Sequence, residues 1–167
     1  MENKSISVRE LVLFALLGAV MFAGKMAMAG LPNIEPVSLL VILFALVFGR
    51  KALWSIYLYV ALECVVWGLN TWSISYLYVW LMLYLVTRLL RGMDSPLGWA
   101  VVSGAFGLVF GLLCTPVQLC IGGWAYALSW WISGIPFDLS HCAGNFAMAL
   151  LLYRPCRRVL TELANRY

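Results

Sequence analysis

Apolar residues follow one another in six long runs along the chain, and short polar stretches separate these runs. The runs cover residues 8–29, 36–48, 52–69, 72–87, 97–121 and 135–153. Crossing the hydrocarbon core of a bilayer takes about 20 mostly apolar residues in a helix. The second run is short for a full crossing, so its helix must be tilted, broken or extended by its neighbours. The pattern predicts an all-α integral membrane protein, a single bundle of six transmembrane helices.

Turn-forming residues mark the connections, which fall at 30–32, 49–51, 70–71, 92–96 and 122–134. The last connection is rich in tryptophan and tyrosine, which are enriched at membrane–water interfaces. We therefore predict a further short helix over 124–131, lying at the interface. The first run contains Lys25 and lacks a clear small-residue cleavage site, so we expect a retained helix rather than a cleaved signal peptide.

Composition supports lipid as the main solvent of this chain. Of its 167 residues, 64% are hydrophobic and 11% are charged, and the mean hydropathy is +0.94. Soluble domains are about 45–50% apolar and about 25% charged. The five cysteines form no Cys-x-x-Cys pair, which argues against a disulfide framework or a metal site. We predict no metal, no cofactor and no nucleic-acid partner.

The basic residues occupy every second connection. They precede the first run, join the second run to the third and the fourth to the fifth, and follow the sixth. These residues are Lys4, Arg9, Arg50, Lys51, Arg88, Arg91, Arg154, Arg157, Arg158 and Arg166. Because cytoplasmic loops carry the excess of lysine and arginine, six crossings place both termini in the cytoplasm.

Lys25 is the exception, and it belongs to a group of polar residues in the opposite, outer half. It lies roughly 22 Å along its helix from Glu10, and Glu63 lies roughly 18 Å beyond Lys51, at 1.5 Å per residue. A charge in the middle of a membrane helix costs about 2.5–3.5 kcal/mol or more unless it is paired or faces water. These residues therefore predict a polar cavity that opens to the outside.

The residues predicted to bind a substrate in this cavity are polar or aromatic and map to the outer half. They are Lys25, Asn33, Glu35, Glu63, Trp67, Asn70, Trp72, Tyr76, Trp131, Asp138, His141 and Asn145. Structural alternatives stay open for several of them. Asp138 could cap the last helix, Lys25 could extend to the outer headgroups, and Glu35 could be a solvated loop residue. The tryptophans could be interfacial anchors, and Asp138, His141 and Asn145 could bond between helices. Glu63 could form a buried structural pair with Lys25.

Small residues form a stripe along the first helix. Ala15, Ala19 and Ala23 recur every four residues, a spacing that allows another helix to approach closely in lipid. We predict that this stripe binds a partner subunit, and internal packing is the alternative. A second small-residue face on the fifth run, at Ser103, Gly107 and Gly111, is more typical of internal packing.

In combination these features resemble the substrate-binding S component of an energy-coupling factor (ECF) vitamin transporter. The alanine pattern at Ala15 and Ala19 resembles the motif with which S components bind a transmembrane coupling subunit. The stretch Leu-Pro-Asn-Ile-Glu-Pro-Val at 31–37 and Gly-Ile-Pro-Phe-Asp at 134–138 also resemble members of this family. The likeness covers essentially the whole chain.

The resemblance implies capture of a vitamin or related micronutrient at the outer face of a bacterial cell membrane. Uptake would be driven by a module of one coupling subunit and two ATPase subunits. The chain has no Gly-x-x-x-x-Gly-Lys-Ser/Thr phosphate loop, so it is not itself the ATPase. The charge balance favours a compact heterocycle or an amine-bearing compound over a nucleotide. A small intramembrane enzyme and an assembly subunit without ligand remain the alternatives.

Overall fold

The computed structural model describes residues 6–31 and 33–166, and within these ranges it contains helices and turns but no strand. The helices are α1 (Val8–Ala27), α2 (Val37–Phe48), α3 (Ala52–Trp67), α4 (Thr71–Leu89), α5 (Pro96–Leu108) and α6 (Phe110–Ala164). A short 3-10 turn, Gly49–Lys51, joins α2 to α3. Gly123 leaves the helical conformation with a φ of 73°, which divides α6 into a first segment, 110–122, and a second segment, 124–164.

Polar residues at the helix starts account for several of these boundaries. Ser7 and Glu10 form a reciprocal capping box at the start of α1. The side chain of Asn70 accepts hydrogen bonds from the amides of Trp72 and Ser73, and Ser95 caps α5 in the same way. Each cap satisfies amide groups that have no partner within the helix, so the helices begin where these residues stand.

The observed helices agree with the first four predicted runs, whereas the fifth run, 97–121, is divided at Val109 into α5 and the first segment of α6, and a larger difference lies near the C-terminus. We predicted a connection over 122–134 with a separate helix at 124–131, but those residues open the long second segment of α6. Only Gly123 leaves the helix; Gly134 stays helical, because a glycine weakens a helix without necessarily ending it. The same segment continues past Tyr153 to Ala164, since polar residues can extend a helix beyond its apolar part.

Helices α1 and α3 contact each other and run in the same direction, and α2, which joins them in sequence, runs in the opposite direction. The hydroxyl of Ser55 donates to the Phe14 carbonyl, and Lys25 pairs with Glu63, at similar sequence separations of 41 and 38 residues. The far end of α2 returns to the start of α1, where the rings of Phe48 and Phe14 lie 5.5 Å apart.

The remaining segments continue this alternation. At the end of α4, Arg88 donates to the Ala45 carbonyl near the end of α2. At the start of α5, the ring of Trp99 stacks on that of Tyr153 in the second segment of α6, 6.3 Å away. With α5 and the first segment of α6 counted as one, the described chain forms six helical segments that alternate in direction, and its two ends lie at the same end of the bundle.

Helix α2 lies at the centre of the bundle. Most of its side chains are buried, including Val41, Ile42 and Phe44, and a helix that is apolar on all sides is one surrounded by other helices. The outer helices instead expose large apolar side chains, for example Leu16 on α1 and Leu85 on α4. This distribution leaves an extensive apolar outer surface, which in soluble proteins is rare.

Three helical stretches of the described chain are long and apolar enough to cross a membrane. They are Val8–Ala27, Val37–Trp67 and Pro96–Ala164. The second includes α2, the 3-10 turn and α3, and the third includes α5 and both segments of α6. These stretches and the apolar outer surface are the features of a helical membrane protein.

Candidate functional site

A cavity of about 800 Å³ lies at one end of the bundle, opposite the end that holds both chain ends. It is bounded by α1, α3, α4, the loop between α1 and α2, and both segments of α6. Ten of the predicted residues line it: Lys25, Asn33, Glu35, Glu63, Trp67, Asn70, Trp72, Tyr76, Asp138 and His141. Its volume is typical of sites that bind small molecules, which usually enclose about 300–1,000 Å³.

An ion pair between α1 and α3 forms one polar side of the cavity. The ammonium of Lys25 donates to Glu63 Oε2 at 2.8 Å and to the hydroxyl of Tyr76 at 3.1 Å. It also lies 4.9 Å from the centre of the Tyr76 ring. Glu63 is buried, and its second oxygen, Oε1, has no hydrogen-bond partner in the protein. Lys25 is therefore engaged within the protein, whereas Glu63 keeps one free acceptor.

Asp138 forms a second polar side. The sequence allows Asp138 to cap the last helix, but this alternative is wrong, because the second segment of α6 begins fourteen residues earlier. Its Oδ1 instead accepts a hydrogen bond from the Gly111 amide at 2.9 Å. Because the backbone departs from regular helix at Val109, that amide lies in the first turn of the next helix and needs an outside acceptor. Asp138 Oδ2 is buried without a partner.

His141 lies one turn beyond Asp138 on the same helix face. It is 2% exposed, lines the cavity, and neither of its ring nitrogens has a hydrogen-bond partner in the protein. Its ring lies 4.7 Å from that of Phe110, in an edge-on arrangement. A neutral imidazole has one donor and one acceptor nitrogen. His141 can therefore offer either kind of hydrogen bond to a molecule in the cavity.

Aromatic side chains form the wall between these polar groups. The ring of Trp72 lies 6.5 Å from Phe110 at 18° between planes, and 5.5 Å from Trp130. Trp67 and Phe137 also line the cavity. Such rings favour flat or cationic ligands, which they bind by stacking and cation–π contact.

The loop between α1 and α2 closes part of the opening. The side chain of Asn33 donates to the Phe137 carbonyl at 3.1 Å, and its φ of 57° is one that asparagine tolerates better than most residues. Glu35 is half-buried in this loop. Burial raises the pKa of the Glu35 carboxyl, and the nearby Glu63 adds to this shift while Lys25 opposes it.

The structure places two predicted residues elsewhere. Trp131 does not line the cavity, because the lining face of this helix contains Trp130 and lies about 100° away around the axis. Asn145 is buried below the cavity, where its amide donates to the Ser38 hydroxyl at 2.9 Å and to the Ser103 carbonyl at 3.2 Å. Asn145 therefore links three helices, which was the structural alternative.

Sequence reasoning also missed several lining residues, chiefly Phe110, Trp130, Ser133 and Phe137. Helical periodicity was the available signal for three of them. Trp130, Ser133 and Phe137 recur at three and four residues on the face that contains Asp138, so a continuous helix from 124 identifies all of them. Phe110 gave no such signal, since it lies in a uniformly apolar run.

The two small-residue faces differ in their exposure. Ala15, Ala19 and Ala23 are exposed on the outside of α1. The face of α5 and α6 is packed internally instead: a methyl group added at Gly107 would lie 2.7 Å from the His141 backbone. Only the α1 stripe is therefore open to a partner.

Two further kinds of site, a metal centre and a serine–histidine nucleophile pair, have less support in the described residues. The described residues contain no group of three or more histidine, cysteine or acidic side chains that could hold a metal ion. Ser140, the neighbour of His141, donates its hydroxyl to the Pro136 carbonyl of its own helix at 3.1 Å. It points away from the imidazole, so these two residues do not form a nucleophile–base pair.

Comparisons with protein-family models, with curated proteins and with solved structures found no match to this chain.

Proposed function

We propose that this chain is the substrate-binding S component of an ECF-type importer in a bacterial cell membrane. It captures a vitamin or related micronutrient in the cavity and delivers it inward with a coupling subunit and two ATPase subunits. The observation that carries the proposal is the cavity itself. Glu63, Asp138 and His141 line it, and each is buried with at least one polar atom that has no partner in the protein, inside a bundle whose outer surface is apolar. Unpartnered polar atoms are costly in such surroundings, so they indicate a site for a bound molecule.

The orientation follows from the charges at the two ends of the bundle. Lys51 pairs with Glu10, and Arg157 pairs with Asp94, at the end opposite the cavity. Arg88 and the other basic connections belong to the same end. The positive-inside rule assigns this end to the cytoplasm, so six crossings place the cavity at the outer face and both termini inside.

The exposed alanine stripe supplies the second requirement of an S component, a surface for the coupling subunit. Ala15, Ala19 and Ala23 lie on the side of α1 that faces away from the bundle. The opposite side of this helix packs tightly, since a methyl group added at Gly18 would lie 2.8 Å from the Ser55 carbonyl. A smooth outer face allows close helix approach without large side chains that must be displaced.

Co-purification tests the proposal. The full chain, tagged at one end and extracted from its native membrane in mild detergent, is analysed by mass spectrometry of bound proteins and small molecules. We expect one polytopic membrane subunit and two ATPase subunits that contain phosphate-binding loops. Isolation of the chain without ATPases, from membranes that contain such a module, would contradict the proposal. The orientation is tested with a reporter enzyme that is active only outside the cell, fused to the C-terminus. Activity of this fusion would contradict the orientation.

A further inference from the structure

The polar atoms of the cavity are unequally divided between hydrogen-bond acceptors and donors. Three carboxyl groups line it, those of Glu35, Glu63 and Asp138, against one ammonium group, that of Lys25. That ammonium already donates to Glu63 and Tyr76. Among the lining residues that the structure describes, no other lysine or arginine is present to meet an anion. The charged groups of the cavity therefore favour a ligand that brings hydrogen-bond donors.

Two free acceptors are fixed in position by contacts of their partner oxygens. Glu63 Oε1 is free because Oε2 holds Lys25, and Asp138 Oδ2 is free because Oδ1 holds the Gly111 amide. Both side chains are at least nine-tenths buried, at 4% and 5% exposure. Hydrogen bonds from a cation to a carboxylate are about twice as strong as neutral ones, and burial increases the difference. The site is thus built to hold positively charged N–H groups.

The aromatic wall restricts the shape of the ligand. Phe110 lies between the two polar sides, with Tyr76 at 6.3 Å toward Glu63 and His141 at 4.7 Å toward Asp138. Trp72 is nearly parallel to Phe110 and continues the wall toward the opening. A flat ring can lie along this wall while its nitrogen atoms reach the carboxylates. An aliphatic polyamine would leave the aromatic faces without a matching partner.

We propose that the cavity takes a flat, positively charged nitrogen heteroaromatic or aryl amidine whose N–H groups bond to Glu63 and Asp138 and whose ring lies along Phe110 and Trp72. This rests on the proposed function only in treating the occupant as a transported substrate. The Lys25 ammonium neutralises one carboxylate, and His141 adapts to the ligand by offering its donor or its acceptor nitrogen. Phosphorylated and carboxylated compounds are disfavoured as ligands, because three carboxyl groups line the cavity against one ammonium group, which is already paired with Glu63.

Three probes of nearly identical shape separate charge from shape. Benzamidine is a flat cation with several N–H groups, benzamide is its neutral counterpart, and benzoate is its anionic counterpart. Dissociation constants of each are measured by ligand-observed NMR on the purified full chain in detergent at neutral pH. We expect benzamidine to bind about tenfold more tightly than benzamide, and benzoate to bind most weakly, since charge-assisted bonds to carboxylates favour the cation.

Variants identify the groups responsible. Glu63→Gln and Asp138→Asn keep the bonds to Lys25 and Gly111 available while removing a negative charge, so each should reduce the preference for benzamidine several-fold. Glu162→Gln, at an exposed carboxylate on the far end of α6, is the matched control and should leave the preference for benzamidine unchanged. Circular dichroism verifies that each variant is helical.

Two results would overturn the inference. One is absence of benzamidine binding at millimolar concentration, and the other is equal or tighter binding of benzamide or benzoate. Either result leaves the proposed function standing if the chain still co-purifies with a coupling subunit and ATPases. Loss of that co-purification, with the benzamidine preference intact, would leave the ligand class standing and remove the importer assignment.

Discussion

The Lys25 ammonium and a Glu63 carboxylate oxygen lie 2.8 Å apart, and they join α1 to α3 at the edge of the cavity. The side chain of Glu63 is 6% exposed and that of Lys25 is 22% exposed. Each charge is the other's ionic partner in the described residues. The pair therefore connects the helix that exposes the alanine stripe to the wall of the cavity.

Breaking this pair from one side should destabilise the protein. Lys25→Met leaves Glu63 buried without its partner, and an unsatisfied buried polar group costs about 1–3 kcal/mol. Thermal unfolding followed by circular dichroism measures the loss, and the double variant Lys25→Met with Glu63→Gln should recover part of it. Additive effects of the two substitutions would show that the residues do not interact in the folded protein.

The pair of Lys51 and Glu10 at the other end is the matched control. Its lysine side chain is 44% exposed, and exposed ion pairs contribute little to stability because water screens them. Lys51→Met should therefore lower the stability less than Lys25→Met does. A larger loss of stability in Lys51→Met than in Lys25→Met would contradict the idea that the pair at the cavity stabilises the protein more than the exposed pair does.

Tryptophans at the two ends of α3 differ in their relation to the cavity. Trp67 lines it and Trp54 does not, although both are more than half exposed. Trp67→Ala should weaken benzamidine binding about two- to fivefold, because an exposed cation–π contact contributes about 0.5–1 kcal/mol. Trp54→Ala should leave the dissociation constant unchanged in the same NMR titration. An equal effect of both substitutions would remove Trp67 from the site.

Much of the fold was predictable from the sequence because apolar runs and basic connections report directly on helix number and direction. Helices α2 and α3 begin and end within a few residues of the predicted runs. The long second segment of α6 was not predicted, because glycines at 122, 123 and 134 look alike in sequence. Their difference depends on the backbone conformation that neighbouring helices impose, and only Gly123 adopts a positive φ.

Part of the site was predictable, because a charged residue in an apolar helix is costly unless it is paired or faces a polar cavity. Lys25 and Glu63 were identified by their depth alone, and the structure brings them together. Asn145 is also a polar residue in an apolar helix, yet it bonds to Ser38 between helices. Depth cannot separate a residue that faces a cavity from one that faces a neighbouring helix, because both solutions satisfy the same polar group.

Close packing of α5 against α6 gives a stability prediction. A methyl group at Gly107 would lie 2.7 Å from the His141 backbone, which cannot yield as a flexible side chain can. Gly107→Ala should therefore destabilise the protein by about 1–3 kcal/mol, a cost typical of overpacking. Thermal unfolding in detergent measures the change.

Gly134 is the control, since it is helical and a methyl group added there meets no atom within 4 Å. Replacing a helical glycine with alanine stabilises a helix by about 0.5–1 kcal/mol where space allows. Gly134→Ala should raise the unfolding temperature while Gly107→Ala lowers it. Similar shifts in the two variants would contradict the close approach of α5 to His141.

The alanine stripe can be tested by separating binding from transport. Ala19→Trp places a large side chain in the middle of the exposed face of α1, so it should block contact with a coupling subunit. We expect cellular uptake of the substrate identified by co-purification to fall at least about tenfold. The benzamidine dissociation constant of the purified chain should stay the same. Leu85→Trp, at an exposed apolar position on α4, should support normal uptake. Normal uptake by Ala19→Trp would remove the stripe from the proposed interface.

Glu35 makes the stability of the empty protein depend on pH. Burial raises the pKa of this carboxyl above its ordinary value, so the folded state holds its proton more tightly than the unfolded state does. Stability contributed by the protonated form is complete below the unfolded pKa of about 4.3 and is lost as pH rises through the raised native pKa. Glu35→Gln removes this dependence, because glutamine mimics the protonated form at every pH.

The variant should therefore match the parent protein at acidic pH and exceed it in stability at neutral pH. Unfolding temperatures measured from pH 4 to pH 8 test this, with Glu162→Gln as an exposed control whose difference from the parent stays small throughout. The groups that face Glu35 set the size of the effect, since Glu63 strengthens the upward shift and Lys25 weakens it. In a protein that also carries Lys25→Met, the difference in unfolding temperature between Glu35 and Glu35→Gln at neutral pH should be larger. A parent protein that gains stability relative to Glu35→Gln as pH rises would show that Lys25 outweighs burial at this loop.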